Sequence, residues 1–452
     1  MTRPNIVPRA SDVGAYLDKF ERLGRSASEP AWLASLREAG IARFGECGFP
    51  TLRDEDWRFT NIAPLAKLPF RPVMKRTADG LTAETLAQFP LGKLEATRLV
   101  FVNGHFAPEF SNLGAQSGGL KITSLAAALA SDAASLEPHL ARYAKNEEHS
   151  AFAALNAAFF QDGAFIQVPK GRAVEPPVHL FYVTTATESG TATHPRNLIL
   201  ADDGSRLTVI ESYVATVGSA YFTNAVTEIV AGEGAVVEHC KFQDESTAAF
   251  HLSTLYAKLG ARSNFISHSI ATGARLSRNN LRTELAGEGL EAILNGLYLT
   301  KGDQLADHHM IVDHAKAHCA SHEYFNGILD DKSKGVFHGR ILVRPDAQKT
   351  DAKQTNKNLL LSDDATIDTK PQLEIYADDV KCTHGATVGQ LNEESIFYLR
   401  SRGLGAETAR QMLIHSFAGE IIERIRHQPL REELDTLIWR RLEQNPHLAA
   451  TK

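Results

Sequence analysis

Two spacings of apolar residues divide this chain into three regions. Near both ends, apolar residues recur at steps of three and four, which places them on one face of an α-helix. Tyr16 and Phe20 near the start, and Phe417 and Ile421 near the end, follow this spacing. The middle of the chain instead has short segments rich in Val, Ile, Phe, Tyr and Thr, which favour strands. The pattern predicts a mixed, mostly helical N-terminal region at 1–160, a strand-rich core at 161–390 and a helical C-terminal region at 391–452.

Glycine-containing turns punctuate the predicted core at a loosely regular interval. Gly204, Gly234, Gly260 and Gly287 lie 30, 26 and 27 residues apart, each between β-rich segments. Such a period is typical of a solenoid, in which each repeat buries its apolar face only by stacking on its neighbours. The pattern therefore predicts a mainly β fold, with a right-handed parallel β-helix core flanked by helical N-terminal and C-terminal regions. A β-sandwich is the alternative, because regularly spaced strands also suit antiparallel sheets.

The C-terminal region contains two predicted helices separated by Pro429. The first has an apolar stripe at helical spacing, formed by Met412, Leu413, Phe417, Ile421 and Ile425. A solenoid needs a cap at its end, so one interpretation is that these helices close the β-helix. The other interpretation is that they form a docking surface for another subunit. The two interpretations are compatible.

Composition and charge narrow the classes of function. The chain has 452 residues, of which 43% are hydrophobic and 23% charged, and its formal net charge is −6. This balance is that of a globular protein without the basic surface that nucleic acids or anionic membranes attract. The sequence contains no run of about 18 apolar residues and no apolar segment of a secretory signal, so we expect a cytoplasmic protein. Four cysteines without a CxxC pair predict neither a disulfide framework nor a closed zinc site.

The common motifs of catalysis and nucleotide binding are absent from the sequence. It has no GxSxG elbow for a nucleophile, no GxxxxGK[ST] loop for phosphates and no strand followed by GxGxxG and a helix. The sequence therefore does not predict an enzyme. Any ATP that its function requires would be bound by another protein.

The densest group of histidines lies between residues 307 and 323. Its members are His308, His309, His314, His318, Cys319 and His322, interspersed with Asp307, Asp313 and Glu323. Their spacing matches neither an HExxH helix nor a zinc finger, and a solenoid would distribute them among core, outer face and turn. A metal site and a stack of polar side chains that satisfy one another both remain open.

Cys382 and His384 are the most compact pair of candidate ligands, in the stretch DDVKCTHGATVGQ at 378–390. Alternate residues of a strand project to the same face, so the thiolate and the imidazole can converge on one atom. Iron or an iron–sulfur cluster takes about four ligands per metal, so a partner would have to supply the others. The alternative is that both residues are ordinary members of a packed sheet.

Two longer stretches carry a resemblance to a known family. AQKTDAKQTNKNLLLSDDATIDTKPQLEIYADDVKCTHGATVGQLNEESIFYLRSRG at 347–403 and IVDHAKAHCASHEYFNGIL at 311–329 resemble the SufB/SufD family of iron–sulfur cluster assembly scaffolds. KCTHGATVGQL, FYLRSRG and MLIHSFAGEII look like the SufD branch, and the arginine- and glycine-rich, flavin-associated segment of SufB is not evident. With the helical ends and the β-helix core, the resemblance extends over essentially the whole chain.

The resemblance implies a non-catalytic scaffold subunit that works with a SufB-like subunit and a SufC-like ABC ATPase. It implies that His384 is a metal ligand at the interface with SufB, that Cys382 is a weaker candidate, and that the C-terminal helices bind SufC. The expected cofactor is a transient iron–sulfur cluster shared with SufB, with none tightly bound to the isolated chain, which could form a homodimer. The alternatives are a stand-alone metalloenzyme using the His308–His322 cluster and a SufB-like, self-sufficient scaffold.

Overall fold

The computed structural model of the chain describes residues 10–23, 29–76, 80–143, 151–185 and 190–444. The outermost parts of the two predicted helical regions, 1–9 and 445–452, lie outside the described residues. The helices are α1 (Ala10–Leu23), α2 (Ala31–Cys47), α3 (Ala63–Ala66), α4 (Ala83–Gln88), α5 (Leu125–Leu136), α6 (Ala151–Phe159), α7 (Glu393–Ser401), α8 (Ala406–Ile422) and α9 (Gln428–Glu443). Within the described ranges, none of them is long and apolar enough to cross a membrane.

The strands occupy most of the middle of the chain. They are β1 (Arg71–Pro72), β2 (Thr97–Val102), β3 (His105–Phe106), β4 (Lys121–Ser124), β5 (Ala164–Val168), β6 (Val178–Thr184), β7 (Thr191–Thr193), β8 (Arg196–Ala201), β9 (Arg206–Ala215), β10 (Tyr221–Ala231), β11 (Val236–Asp244), β12 (Phe250–Leu259), β13 (Asn264–Ala271), β14 (Leu276–Leu285), β15 (Glu291–Thr300), β16 (Leu305–His314), β17 (Ala320–Leu329), β18 (Lys334–Val343), β19 (Asp351–Leu360), β20 (Thr366–Ile375) and β21 (Lys381–Gly389).

From β8 to β21, consecutive strands alternate between two sheets that enclose one interior, and the pairs among these strands are parallel. The eleven-stranded sheet runs β20-β18-β16-β14-β12-β10-β8-β5-β4, with β1 and β7 beside it, and the ten-stranded sheet runs β21-β19-β17-β15-β13-β11-β9-β6-β2-β3. Each coil therefore contributes one strand to each sheet, in a solenoid of about seven turns. The predicted parallel β-helix with flanking helices is confirmed. The sandwich alternative is wrong, because the neighbouring strands of the core are parallel.

The predicted turn glycines connect the two sheets. Gly204, Gly234, Gly260 and Gly287 each lie between a strand of the eleven-stranded sheet and the next strand of the ten-stranded sheet. Gly204 and Gly234 have φ of 63° and 64°, a left-handed conformation that glycine adopts without strain. At Gly287, a Cβ atom would lie 2.1 Å from the backbone nitrogen of Ala261 in the preceding coil. Close stacking of successive turns therefore explains the repeat.

Part of the interior consists of apolar side chains, both small and large, that stack in register from one coil to the next. Leu207, Val237, Phe265 and Ala292 form one such column along the ten-stranded sheet, and all are at most 2% exposed. Removing this surface from water stabilises the stack by about 25 cal/mol for each Å² of apolar area. Because strand residues alternate between the two faces, the intervening residues point outward and are available to pack against helices.

The C-terminal helices lie along the outer face of the ten-stranded sheet. Ile414, Ile421 and Leu434 belong to the apolar cluster that contains Phe242 and Leu297 of that face. The interpretation of α8 and α9 as a cap on the end of the β-helix is therefore wrong, since they cover its side.

The predicted apolar stripe is confirmed only in part. Ile421 and Ile425 are buried, as is Ile414 outside the stripe, whereas Met412 is exposed and Phe417 is partly buried. Three- and four-residue steps describe several adjacent stripes of one helix, and packing on the sheet selects the one that is buried.

A buried ion pair ties the N-terminal region to the solenoid. Arg196 Nη2 lies 2.8 Å from Glu228 Oε2, and the two side chains are 1% and 0% exposed. Glu228 also accepts hydrogen bonds from the backbone nitrogens of Ala141 and Tyr143, at 2.8 and 3.0 Å, and Arg196 donates to Asn156 at 3.0 Å. One carboxylate thus holds both a strand and the segment that follows α5.

Replacing Glu228 with Gln should strongly destabilise the fold. The substitution keeps the shape of the side chain but leaves the buried Arg196 guanidinium without its counter-ion, which costs about 3–5 kcal/mol. We expect that loss in the free energy of unfolding measured with urea. Glu233→Gln is the matched control, because Glu233 pairs with Arg262 in a largely exposed ion pair that contributes about 0–1 kcal/mol. Equal losses in the two variants would contradict the assigned role of Glu228.

Candidate site at the open end of the solenoid

The two sheets end side by side in strands β20 and β21. β21 pairs with β19, and β20 pairs with β18. In the part of the chain that the structure describes, no further strand continues either sheet beyond them. Eight of the nine residues of β21 are exposed, in contrast to the buried strands of the preceding coils. The last coil therefore presents an edge of backbone donors and acceptors together with an uncovered interior surface.

His384 and Cys382 lie on β21 and project to the same side of it. Their neighbours in register on β19 are Gln354 and Ala352, both buried in the interior, so the pair continues the interior surface at the open end. His384 is exposed, whereas Cys382 is partly buried against the apolar cluster around Ile341. The structure thus brings the two predicted ligands to one face of one strand.

The two side chains differ in how readily they can bind a metal ion. Burial raises the pKa of the Cys382 thiol above its ordinary value, which favours the neutral thiol at neutral pH. A thiol becomes a strong ligand only after losing its proton, so Cys382 needs an incoming metal to shift that equilibrium. The imidazole of His384 is exposed and can offer a nitrogen lone pair to a metal ion.

A polar column continues from His384 into the solenoid. Glu323, Gln354 and His384 occupy equivalent positions on β17, β19 and β21. Gln354 Nε2 donates to Glu323 Oε2 at 2.6 Å. Gly339, on the opposite sheet, makes room for this contact, since a Cβ atom there would lie 2.1 Å from Gln354 Nε2. Sequence analysis identified Glu323 only as part of the histidine cluster and did not identify Gln354, because their alignment depends on strand register.

Burial raises the pKa of Glu323 to about 8, and the hydrogen bond from Gln354 opposes that rise. The carboxyl group is therefore largely protonated at neutral pH. It can donate or accept a proton in the interior, two coils below His384. A buried acid of this kind is typical of a functional site, although buried structural networks perturb pKa values as well.

The histidine cluster at 307–323 does not converge on one point. His308 and His314 face the interior, where His308 lies 3.0 Å from Ser269 Oγ and His314 lies 2.8 Å from Ser321 Oγ. His309 faces outward on the eleven-stranded sheet, His322 lies on the other sheet, and His318 and Cys319 lie at the turn between them. This dispersal gives no support to a stand-alone metalloenzyme built on that cluster.

A second polar network, which the sequence did not predict, lies deeper in the interior. Lys241 Nζ donates to His251 Nε2 at 2.7 Å, and His251 Nδ1 lies 2.6 Å from Glu245 Oε2. Burial lowers the pKa of Lys241 to about 7, and the nearby carboxylates of Glu211 and Glu245 oppose that shift. The network pairs these charged groups with one another inside the solenoid.

Large apolar side chains are exposed close to the open end. Ile375 and Tyr376 follow one another at the end of β20, and Val388 lies near the end of β21. Phe397 and Tyr398 are exposed on the next helix, α7, and are 74% and 57% accessible to solvent. An edge with unpaired backbone groups and exposed apolar side chains is typical of a protein–protein interface.

The chain matches two known domains over most of its length. Residues 182–417 match the SufBD core domain of the SUF system for iron–sulfur cluster assembly, and residues 14–180 match the SufBD N-terminal region. An iron–sulfur cluster assembly SufBD family protein of Synechocystis is 35% identical over 88% of this chain and 89% of its own length. For SufD of Escherichia coli the identity is 33%, over 87% and 90%, and for SufD of Bacillus subtilis it is 26%, over 94% and 97%.

The raised pKa of Glu323 predicts a pH-dependent loss of stability. The folded carboxyl keeps its proton up to about pH 8, whereas the unfolded one loses it near 4.5. The folded state thus binds more protons between these values, and its free energy of unfolding falls as pH rises from about 4.5 to 8. Glu323→Gln removes this dependence, so the variant should gain stability over the wild type, on the order of a few kcal/mol, between pH 5 and pH 8.

Urea unfolding of both proteins at pH 5 and pH 8 measures this difference. Glu233→Gln, on the surface, controls for the general effect of removing a carboxylate. A stability difference between Glu323→Gln and wild type that stays constant across this range would contradict a protonated Glu323 in the folded state.

Proposed function

Because this chain belongs to the SufBD family of iron–sulfur cluster assembly proteins, we propose that it is a non-catalytic scaffold subunit working with a SufB-like subunit and a SufC-like ATPase. The observation that supports the proposal is the open end of the solenoid. His384 and Cys382 lie there on β21, which pairs with β19 on one side and, within the described residues, with no strand on the other. A site of this form offers ligands to a cluster from one side only. A partner surface must supply the remaining ligands and exclude water.

The edge formed by β20 and β21 suits a SufB-like partner that also ends in open strands. Backbone hydrogen bonds from an added strand would satisfy the unpaired groups of the edge, in the manner of β-augmentation. Tyr376 and Val388 would supply apolar contacts beside the new strands. When the partner is missing, the same edge would pair two copies of this chain into a homodimer.

His384 is the proposed ligand of the transient cluster, and Cys382 plays a secondary part. The imidazole is exposed and lies on the same face as the interior polar column, so a cluster at the interface would meet it first. The raised pKa of Cys382 makes its thiol a ligand only where the cluster itself displaces the proton. Glu323 and Gln354 lie behind His384 and would keep the surface beneath the cluster polar.

The helices that follow the open end are the proposed docking site for the SufC-like ATPase. α8 and α9 are anchored to the solenoid, so a force applied to them reaches the sheet that ends in β21. Phe397 on α7 and Met412 on α8 expose apolar surface that the fold itself does not use. Exposed aromatic side chains of this kind are typical anchors in protein interfaces.

Replacing His384 with Ala should stop cluster assembly without unfolding the chain. The side chain is exposed, so we expect its removal to change the free energy of unfolding by less than about 1 kcal/mol. One ligand of an incomplete site is then missing, so the iron and sulfide bound by the complex with SufB- and SufC-like partners should fall severely. Cys382→Ala should reduce them less.

Iron and sulfide content, co-purification of the three proteins and thermal unfolding measure these effects. Thr383→Ala, which replaces an exposed side chain between the two proposed ligands on β21, is a control that leaves both of them in place. Wild-type cluster content in His384→Ala would refute the ligand assignment. Loss of folding would show instead that His384 has a structural role.

Replacing Phe397 and Met412 together with Ser should weaken binding of the SufC-like ATPase. Both side chains are exposed, so the fold should tolerate the change, while the docking surface loses its apolar anchors and about 2 kcal/mol or more of binding free energy. Titration of the purified partner by calorimetry gives the affinity. Leu52→Ser removes an equally exposed apolar side chain of the N-terminal region and should not alter it. Unchanged affinity in the double variant would place the docking surface elsewhere.

A further inference from the structure

Two histidines of adjacent coils meet an N-terminal carboxylate on the outer face of the eleven-stranded sheet. His309 on β16 and His338 on β18 are partners in register, and Asp56 lies in a short 3-10 turn, Glu55–Trp57, that covers them. One donor atom from each of the three side chains lies within 4.8 Å of the others. In the described ranges, this is the one group of three or more His, Cys, Asp or Glu side chains that is compact enough to share an ion.

The separations of the donor atoms suit a metal ion. The two Nδ1 atoms of His309 and His338 are 3.2 Å apart, and His309 Nε2 is 3.6 Å from Asp56 Oδ1. Two ligands that each lie about 2.0–2.1 Å from a tetrahedral zinc ion are about 3.3 Å apart. The two distances involve different nitrogens of His309, whereas a single ion takes one nitrogen of each ring and one Asp56 oxygen. Three such atoms lie within 4.8 Å of one another, and they would have to draw closer when the ion binds.

The hydrogen bonds of the group leave a lone pair facing a carboxylate. His338 Nε2 donates to Gln372 Oε1 at 2.6 Å, so Nδ1 of the neutral ring carries a lone pair towards His309. His309 Nδ1 must then donate to it, which leaves His309 Nε2 as a lone pair directed at Asp56. Two electron-pair donors in this arrangement repel each other unless a cation, or a water molecule that donates to both, lies between them.

The two imidazoles are only 6% and 5% exposed, so their nitrogens face each other and Asp56 with little bulk water around them. Asp56 is exposed, so an ion can reach the group from solvent.

The cationic side chains around the group already have carboxylate partners. Arg278 lies 2.6 Å from Asp307, Lys370 lies 2.8 Å from Glu55, and Arg340 lies 3.6 Å from Glu374. Arg278, Arg340 and Lys370 still lie close enough to His309 to oppose positive charge there. The Asp56 carboxylate is the group that offsets them and attracts a divalent ion.

The turn that carries Asp56 is held firmly on the sheet. The Arg278 guanidinium stacks 3.8 Å from the centre of the Trp57 ring and donates to the backbone oxygen of Asp56 at 2.8 Å. Thr60 Oγ1 donates to Asp307 Oδ2 at 2.5 Å. These contacts fix the third ligand before any ion arrives, as a preorganised site requires.

We propose that Asp56, His309 and His338 form a site for a divalent transition-metal ion of the Zn²⁺ and Fe²⁺ class, joining the N-terminal region to the solenoid. Two imidazoles and one carboxylate are ligands that both ions accept, and a fourth position stays open to water or another ligand. The site is independent of the open end, because its ligands lie on the outer face of the other sheet. It neither requires nor tests the scaffold function.

Cobalt binding by the full-length chain tests the proposal, with Co²⁺ as a visible probe for the site. The chain carries His384→Ala and Cys382→Ser together, so that the open end contributes no ligands. After treatment with a chelator, it should bind one Co²⁺ with an absorption band in the visible range. Because the ion binds only the folded chain, it should also raise the melting temperature, and an excess of Zn²⁺ should remove the band.

Two further substitutions in this background locate the bound ion. Asp56→Asn keeps the shape of an exposed side chain, and His338→Gln keeps a hydrogen-bonding group, so both should fold. Each should weaken Co²⁺ binding by at least about tenfold and abolish the rise in melting temperature. His415→Gln is the matched control, since His415 Nε2 lies 2.8 Å from Asp435 in a pair that lacks a second histidine. It should bind Co²⁺ like the background.

Three outcomes would overturn the proposal. They are no Co²⁺ binding by the background protein, binding that both Asp56→Asn and His338→Gln leave unchanged, and an equal loss of binding in His415→Gln. A melting temperature measured without metal identifies any variant that fails to fold. If one of the two variants fails to fold, Co²⁺ binding by the other shows whether the ion is bound by Asp56, His309 and His338 or elsewhere.

Discussion

In-register stacking of parallel coils means that each strand satisfies its backbone only through the strands on either side of it. Inside the solenoid this condition is met, because β9 to β19 each have a neighbour on both sides. At the last coil it is not met within the described residues, where β20 and β21 each keep one edge without a neighbouring strand. The same rule that builds the core therefore produces a surface that needs a partner, without any special sequence for binding.

Stacking also aligns equivalent side chains of successive coils into columns. A column of apolar residues contributes to the core. A column of polar residues places hydrogen-bonding and titratable groups next to one another in a line through it. Glu323, Gln354 and His384 form such a line, which leads from a buried acid to an exposed imidazole. On the outer face, His309 and His338 form a second line, which the turn at Asp56 completes. The geometry of both groups depends mainly on the register between neighbouring strands and less on the residues beside them in the sequence.

The sequence predicted the solenoid because its turns recur, and it predicted the ligand pair because Cys382 and His384 are two residues apart on one strand. It could not predict contacts between coils, such as those of His338 with His309, because the period varies from 26 to 30 residues and the register cannot be counted from the turns alone. For α8 the sequence predicted the burial of Ile421 but not the exposure of Met412, because several adjacent apolar stripes are possible until packing on the sheet selects one. The sequence also could not predict the position of Asp56, which is far along the chain from both histidines. Its turn is held on the sheet by contacts of Trp57 and Thr60.

Exchange of backbone amide hydrogens tests most directly whether the open end is the working interface. The isolated chain and its complex with a SufB-like partner would be compared peptide by peptide in deuterated water. Residues 366–375 and 381–389 should exchange markedly more slowly in the complex, because the partner's strands cover the unpaired edge. Unchanged exchange in these two strands, with protection confined to other surfaces, would contradict an interface at the open end.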